Sequence, residues 1–202
     1  MARYTGPTRK LSRRIGADLG HKTDSQKTAR RLAIPPGSHG RKGTGKLSDY
    51  AIQLREKQKV KWAYGVLEKQ FRRYYQMAAK TPASTGEELL KLLERRLDNV
   101  VYRLNFAPTR RSARQMITHG HVVVDDKKMS IPSYLVNEGE TIRLSDKAQK
   151  IPAVEELLRD KKLSTPTWLD RKAAVGLIKG GPSREDVDLD INEQLIVEHY
   201  SR

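Results

Sequence analysis

The chain has 202 residues, enough for one large domain or two smaller ones, and carries 40 Lys and Arg against 24 Asp and Glu, a net charge of +16. That charge points to a polyanionic partner, nucleic acid or an anionic surface; no apolar run approaches the ~18 residues of a membrane span, and the start, MARYTGPTRK, has no apolar signal-peptide core. The absence of cysteine excludes disulfides, thiolate zinc sites and cysteine nucleophiles, so a cytoplasmic nucleic-acid partner, with no membrane, is expected.

Residues 1–81 hold 20 Lys and Arg against 5 Asp and Glu, which leaves the remainder nearly balanced at +1. Residues 1–46 contain few large apolar side chains and cannot offset chain entropy by burial. They are expected to form an extended basic arm that orders against RNA, a recurrent device of RNA recognition; a disordered tail is the alternative, and without a partner the two behave alike. Within the arm, Gly40, Gly45 and Lys46 match the spacing of a phosphate-binding P-loop. Leu47 stands where Ser or Thr would hold magnesium, and no apolar strand precedes the motif, so nucleotide hydrolysis is rejected. A loop whose Lys42 and Lys46 approach RNA closely is the better reading.

A helical region begins at Leu47. Ser48 is a suitable cap, Asp49 suits the first turn, and Leu47 can staple against Ile52. From Val60 onward, Ala63, Tyr64, Leu67, Phe71, Tyr74, Tyr75 and Ala78 form an apolar stripe, read as two helices meeting at Gly65. Their helical spacing favours core packing over base stacking. Arg55, Lys57, Gln58, Lys59, Lys61, Arg72 and Arg73 lie among or opposite them and are candidate phosphate contacts.

Thr85 and Glu88 then form a T-x-x-E capping box. Leu89, Leu93, Leu97, Val100, Val101 and Leu104 make one stripe of a long helix that should stop before Pro108. Arg95, Asn99 and Arg103 share another face of it. Thr109 is a candidate cap for a second helix ended by Gly120, with Ala113, Met116 and Ile117 inward. Arg110, Arg111 and Arg114 place cations at the positive end of that helix, where carboxylates are normally preferred. Free N–H groups beside arginines suit a phosphate; a solvated basic face is the alternative reading of the same three charges.

After Gly120 the period changes to that of strands, HVVVDDKKMSI around a turn at Asp125 and Asp126, then TIRL. His119 and His121 lack the further ligands of a metal site. Beyond Leu144 a helix should follow Pro152. Trp168, Leu169, Val175, Leu177 and Ile178 suggest an irregular packed segment, and Asn192 can cap a closing helix docked on the early helices.

Four strings, PPGSHG, LSDYAIQLREKQKVKWAYGVLEKQFRRYY, LLERRLDNVVYRLNFAPTRRSARQMITHGHV and INEQLIVEHYSR, together resemble the uS4 family, ribosomal protein S-four of the bacterial small subunit, nearly end to end. The third string also resembles the small RNA-binding module named after that family. The resemblance implies an α+β fold: a basic arm over 1–46, a helical domain over 47–91 completed by 165–202, and the module, with its small antiparallel sheet, over 92–164. It implies no enzyme and no cofactor, since the four-cysteine zinc site of some members has no counterpart here. It implies binding to small-subunit ribosomal RNA, nucleation of the subunit body, contact with ribosomal protein S-five that influences accuracy, and a position near incoming messenger RNA. Carried onto matching positions, the module's RNA face would be Arg95, Arg96, Asn99, Arg103, Arg110, Arg111, Arg114, Gln115, His121 and Lys127. The module's hairpin often turns through Asn-Gly; with Asp125-Asp126 in that place, a different turn type is expected. An RNA-modifying enzyme sharing the module would need a separate catalytic domain, and no catalytic constellation is legible. A DNA-reading helix-turn-helix around Pro108 is disfavoured because most of the charge lies elsewhere.

Overall fold

The structure, a computed structural model, describes residues 3–21, 25–38, 40, 45–160 and 163–201. The chain divides into two compact units, Met1–Glu87 with Leu189–Arg202, and Glu88–Asp188.

The first unit opens with α1 (Thr8–Ile15) and α2 (Ser25–Leu32). The expectation of an extended arm over 1–46 is corrected here. Leu11 and Leu19 are buried, and α1 packs against α2 and the following α3 (Asp49–Ala63). Side-chain bonds to the backbone also hold the arm in place. Arg55 donates to the carbonyls of Arg14 and Ile15 at the carboxy-terminal end of α1, where a cation is favoured. Arg13 donates to those of Ile34 and Pro35. Residues 41–44, including Lys42, lie outside the described residues.

Ser48 caps α3 by accepting from the Ala51 N–H, and Gly65, at φ +64°, turns the chain into α4 (Glu68–Ala78). That φ is open to glycine at no steric cost. Val60, Ala63, Phe71, Tyr74 and Ala78 are buried, as their spacing requires, whereas Leu47 and Ile52 are both exposed.

The chain enters the second unit through α5 (Thr85–Glu94) and continues as α6 (Leu97–Arg103). A single long helix was the expectation; it breaks at Arg95 and Arg96. The segment 132–136 crosses there: the N–H groups of Leu97 and Asp98 donate to the carbonyls of Tyr134 and Pro132, and Val136 N–H donates to Arg95. These bonds satisfy the orphan donors at the start of α6, and Arg96 adopts extended backbone at φ −67°, ψ 135°.

Then come α7 (Arg110–Thr118), β1 (Val122–Val124), β2 (Lys127–Lys128), β3 (Thr141–Leu144), α8 (Asp146–Gln149), α9 (Pro152–Arg159), β4 (Leu169–Lys172) and β5 (Val175–Ile178). The strands form one antiparallel sheet in the order β2-β1-β3-β5-β4. Its inner face, with Val122, Val124, Ile142, Leu144, Leu169 and Ile178, shares a core with Leu97, Val100, Val101 and Leu104 of α6 and Ala113, Met116 and Ile117 of α7. Gly176 permits this approach, because a Cβ there would collide with Leu104.

Two further expectations change. The segment read as irregular around Trp168 to Ile178 is a β-hairpin completing the sheet, so residues 165–188 belong to the second unit and only Leu189–Arg202 returns to the first. The β1–β2 turn has positive φ at both Asp125 (44°) and Asp126 (63°), the pattern of a type I′ hairpin that Asn-Gly would also adopt. Asp125 compensates by accepting the Thr141 N–H at 2.8 Å.

The closing α10 (Glu193–Ser201), capped by Asn192, packs on α3 within the first unit. Ile196 is buried, Tyr200 stacks on Tyr75 at 4.5 Å, and Gln53 donates to Glu198 at 2.9 Å.

Candidate nucleic-acid interface

The arginines of the second unit separate into a buried set and an exposed set. Arg96 is fully buried and grips Asp98 through two hydrogen bonds, Nε to Oδ1 at 3.0 Å and Nη2 to Oδ2 at 2.6 Å. Arg114, also buried, approaches the same carboxylate at 3.5 Å. Arg103 makes a second two-pronged pair with the buried Glu94, at 3.0 and 2.9 Å, and also bonds Asp188. Asn99 donates to the Glu94 backbone carbonyl and, at 2.6 Å, to its carboxylate. Charges so far from water persist only when paired and hydrogen-bonded, and this network supplies both.

The outward-facing placement expected of Arg96, Asn99, Arg103 and Arg114 is therefore corrected. They lie beneath the surface because two carboxylates, Glu94 and Asp98, are buried beside them. Their effect is to position what lies above. Asn99 Oδ1 accepts from Arg110 Nε at 2.7 Å, and the Arg110 guanidinium lies 4.5 Å over the Tyr102 ring. One side bond and one stacked face fix that guanidinium in a defined direction. Tyr102 carries no recognisable functional pattern in the sequence, since its partner lies beyond the turn at Pro108.

Thr109 caps α7 as expected, its hydroxyl accepting the Ser112 N–H, while Ala113, Met116 and Ile117 hold the helix to the core. Arg111 and Gln115 are exposed on the same helix, as is Lys127 on β2, and His121 is half-buried at the joint into β1. Arg95 is half-buried and bonds the Val136 carbonyl and Asn137. Tyr134, whose own carbonyl receives the start of α6, donates its hydroxyl to Glu140 at 2.6 Å, and that bond, with burial, pushes the phenol up to about 12.

In the first unit, Lys57 and Lys61 both bond Glu68, at 2.9 and 2.8 Å, and Lys57 is buried. Lys59 bonds Glu56 and the Asp190 carbonyl, and Arg55 holds α1. These cations, expected as phosphate contacts, tie helices together. Gln58 is half-buried, and Arg72, Arg73 and Lys46 are exposed. Among the described residues no cluster of His, Asp and Glu is arranged to hold a metal ion.

Taken together, the second unit offers the first turn of a capped helix, a guanidinium locked over a tyrosine, and an exposed arginine beside it. Helix-terminal N–H groups and arginine forks match the oxygens of a phosphate.

Comparison with known proteins supplies a context. Residues 3–94 match the family described as ribosomal protein S4/S9 N-terminal domain, and residues 95–142 match the S4 domain. The chain is 51% identical to a protein of Herpetosiphon aurantiacus named small ribosomal subunit protein uS4, with both chains covered completely. Proteins of the same name from Xanthomonas campestris pv. campestris and Halothermothrix orenii are 51% and 49% identical, again over the full length of both chains.

Proposed function

The chain belongs to the uS4 family of small ribosomal subunit proteins, and from that membership we propose that it binds small-subunit ribosomal RNA as a structural component and helps the subunit body to fold. The observation that carries the reading is the pair Arg110 and Arg111 at the start of α7, one locked and one exposed, above a buried network that fixes their helix. Such an arrangement neutralises phosphates and positions an RNA backbone more than it reads sequence. Arg72, Arg73 and Lys46 of the first unit, with its large positive charge, are separate candidate phosphate contacts. The role is structural and not catalytic.

The family reading also supplies finer expectations: contact with ribosomal protein S-five, an influence on decoding accuracy, and a place near incoming messenger RNA. The exposed Leu47, Tyr50 and Ile52 around the start of α3 offer the kind of apolar surface that a protein neighbour covers.

Chemical footprinting of folded small-subunit RNA tests the proposal. Adding the chain should protect a compact set of nucleotides, and an Arg110→Ala, Arg111→Ala variant should lose part of that protection. An unchanged footprint on the free RNA would refute the reading.

A further inference from the structure

The outer face of the sheet, opposite the core, carries an ordered pattern outside the α7 site. The register places five residues directly opposite one another across all five strands: Lys128 faces Val123, Val123 faces Arg143, Arg143 faces Val175 and Val175 faces Lys172. Strand alternation puts them on one side, because their neighbours Val122, Val124, Ile142, Leu144 and Ile178 are buried on the other. Cations thus occupy every second strand, separated by valines, at roughly 10 Å intervals given the spacing of paired strands.

We propose that this row is a second RNA-contacting surface, which takes the phosphate backbone of the ribosomal RNA across the strands; it rests on the RNA-binding role argued above. Lys128, Arg143, Val175 and Lys172 are exposed and Val123 is half-buried, so the row is a shallow ridge open to a large partner. No acid occupies the row. Acids around the row are already engaged: Asp126, at the hairpin tip, pairs with Arg143 at 3.2 Å between two largely exposed side chains, Asp125 accepts the Thr141 N–H, and Asp170 pairs with Lys179 at 3.3 Å. An exposed ion pair of this kind contributes little and yields readily to a phosphate. The valines, with Leu177 on the next row, give apolar contact suited to sugar edges between phosphates, and the cations give it complementary charge. The apolar part alone is too small and too interrupted by charge to serve as the core of a protein interface.

The test uses the full-length chain. Because the sequence has no cysteine, Val175→Cys introduces a single thiol on this face, to which an iron chelate that generates hydroxyl radicals is attached. In small subunits reconstituted with the tethered chain, the expected result is cleavage of the ribosomal RNA at a discrete group of nucleotides. Incorporation without RNA cleavage, or cross-linking of the thiol to a neighbouring protein alone, overturns the proposal. A second arm titrates the triple variant Lys128→Ala, Arg143→Ala, Lys172→Ala against folded small-subunit RNA over a range of salt. Its log–log salt slope should be shallower than the parent's by about two to three, with an unchanged unfolding profile; an unchanged slope in the folded variant overturns the proposal. Failure of the parent chain itself to prefer the ribosomal RNA would remove the RNA-binding reading and this proposal with it, an outcome distinguishable from failure of the triple variant alone.

Discussion

Asn99 links the buried interior of the second unit to its arginine face. Its Oδ1 accepts a 2.7 Å hydrogen bond from Arg110 Nε, and its Nδ2 donates to the buried Glu94 carboxylate at 2.6 Å. Arg110→Lys keeps the charge but removes both the Nε bond and the planar stack on Tyr102. The expected outcome is weaker binding to small-subunit RNA with a stability loss of about 0.5–1.5 kcal/mol, since the buried Asn99 oxygen loses its partner. Asn99→Leu should do more, costing about 1–3 kcal/mol by leaving buried polar groups unpaired. Parallel urea denaturation and RNA titration check both, and a lysine variant that binds like the parent would contradict the positioning role of Asn99.

The pair Arg96 and Asp98 sets a larger stability expectation. Arg96→Met leaves Asp98 buried with Arg114 as its remaining ion-pair partner, at 3.5 Å. Removing one partner of a buried pair costs about 3–5 kcal/mol. Urea denaturation should therefore show a strongly lowered midpoint for Arg96→Met. A change below about 1 kcal/mol would mean that the network contributes little.

The contrast between these buried arginines and the rest of the molecule shows what the sequence makes legible. Helix boundaries set by local chemistry are readable in advance: Ser48, Thr109 and Asn192 cap the helices they precede, and Gly65 and Gly120 adopt the positive φ that ends or turns them. The stripe from Val60 to Ala78 is equally plain, since period and burial coincide there except at Leu67, which is exposed, and Tyr75, which is half-buried. The break between α5 and α6 is not, because it is made by carbonyls of Pro132 and Tyr134 that lie far along the chain, with no glycine or proline at the break itself. Arg96, Arg103 and Arg114 read as surface cations because arginine is seldom buried unless paired, and the pairing exists only in the fold. The β4–β5 hairpin is obscured by a turn through Ala173 and Ala174 that lacks the usual Gly or Asn. The cation row on the sheet needs the strand register, which no local pattern gives.

Acid sensitivity of the first unit should centre on Glu68. Burial alone would raise its carboxyl, but hydrogen bonds from Lys61, Lys57 and Tyr200 outweigh that and bring it from 4.5 down to about 2. A depressed carboxylate contributes stability that is fully present above its unfolded value near 4.5 and is lost as pH falls toward 2. With a side chain 46% exposed, screening keeps the contribution small. Comparing unfolding midpoints of the parent and Glu68→Gln between pH 6 and pH 2.5 should show a difference at the upper end that narrows at the lower; a difference independent of pH would contradict the assignment.

Ala173 occupies the left-handed region at φ +51° in the β4–β5 turn. A side chain there costs about 1–2 kcal/mol, whereas glycine adopts the conformation without strain at the expense of unfolded-state entropy. Ala173→Gly should raise stability by about 0.5–1 kcal/mol net. A thermal melt checks it, and a lowered melting temperature would contradict the strain argument.

RNA binding through the start of α7 is tested by titrating the chain and its Arg111→Glu variant against folded small-subunit ribosomal RNA and against a random duplex of equal length, over a range of salt. The parent should prefer the ribosomal RNA, with affinity falling steeply as salt rises, and Arg111→Glu should weaken this binding without unfolding the chain. Equal affinity of the parent for both RNAs, or an Arg111→Glu variant that binds the ribosomal RNA as tightly as the parent, would rule out specific binding through this helix start.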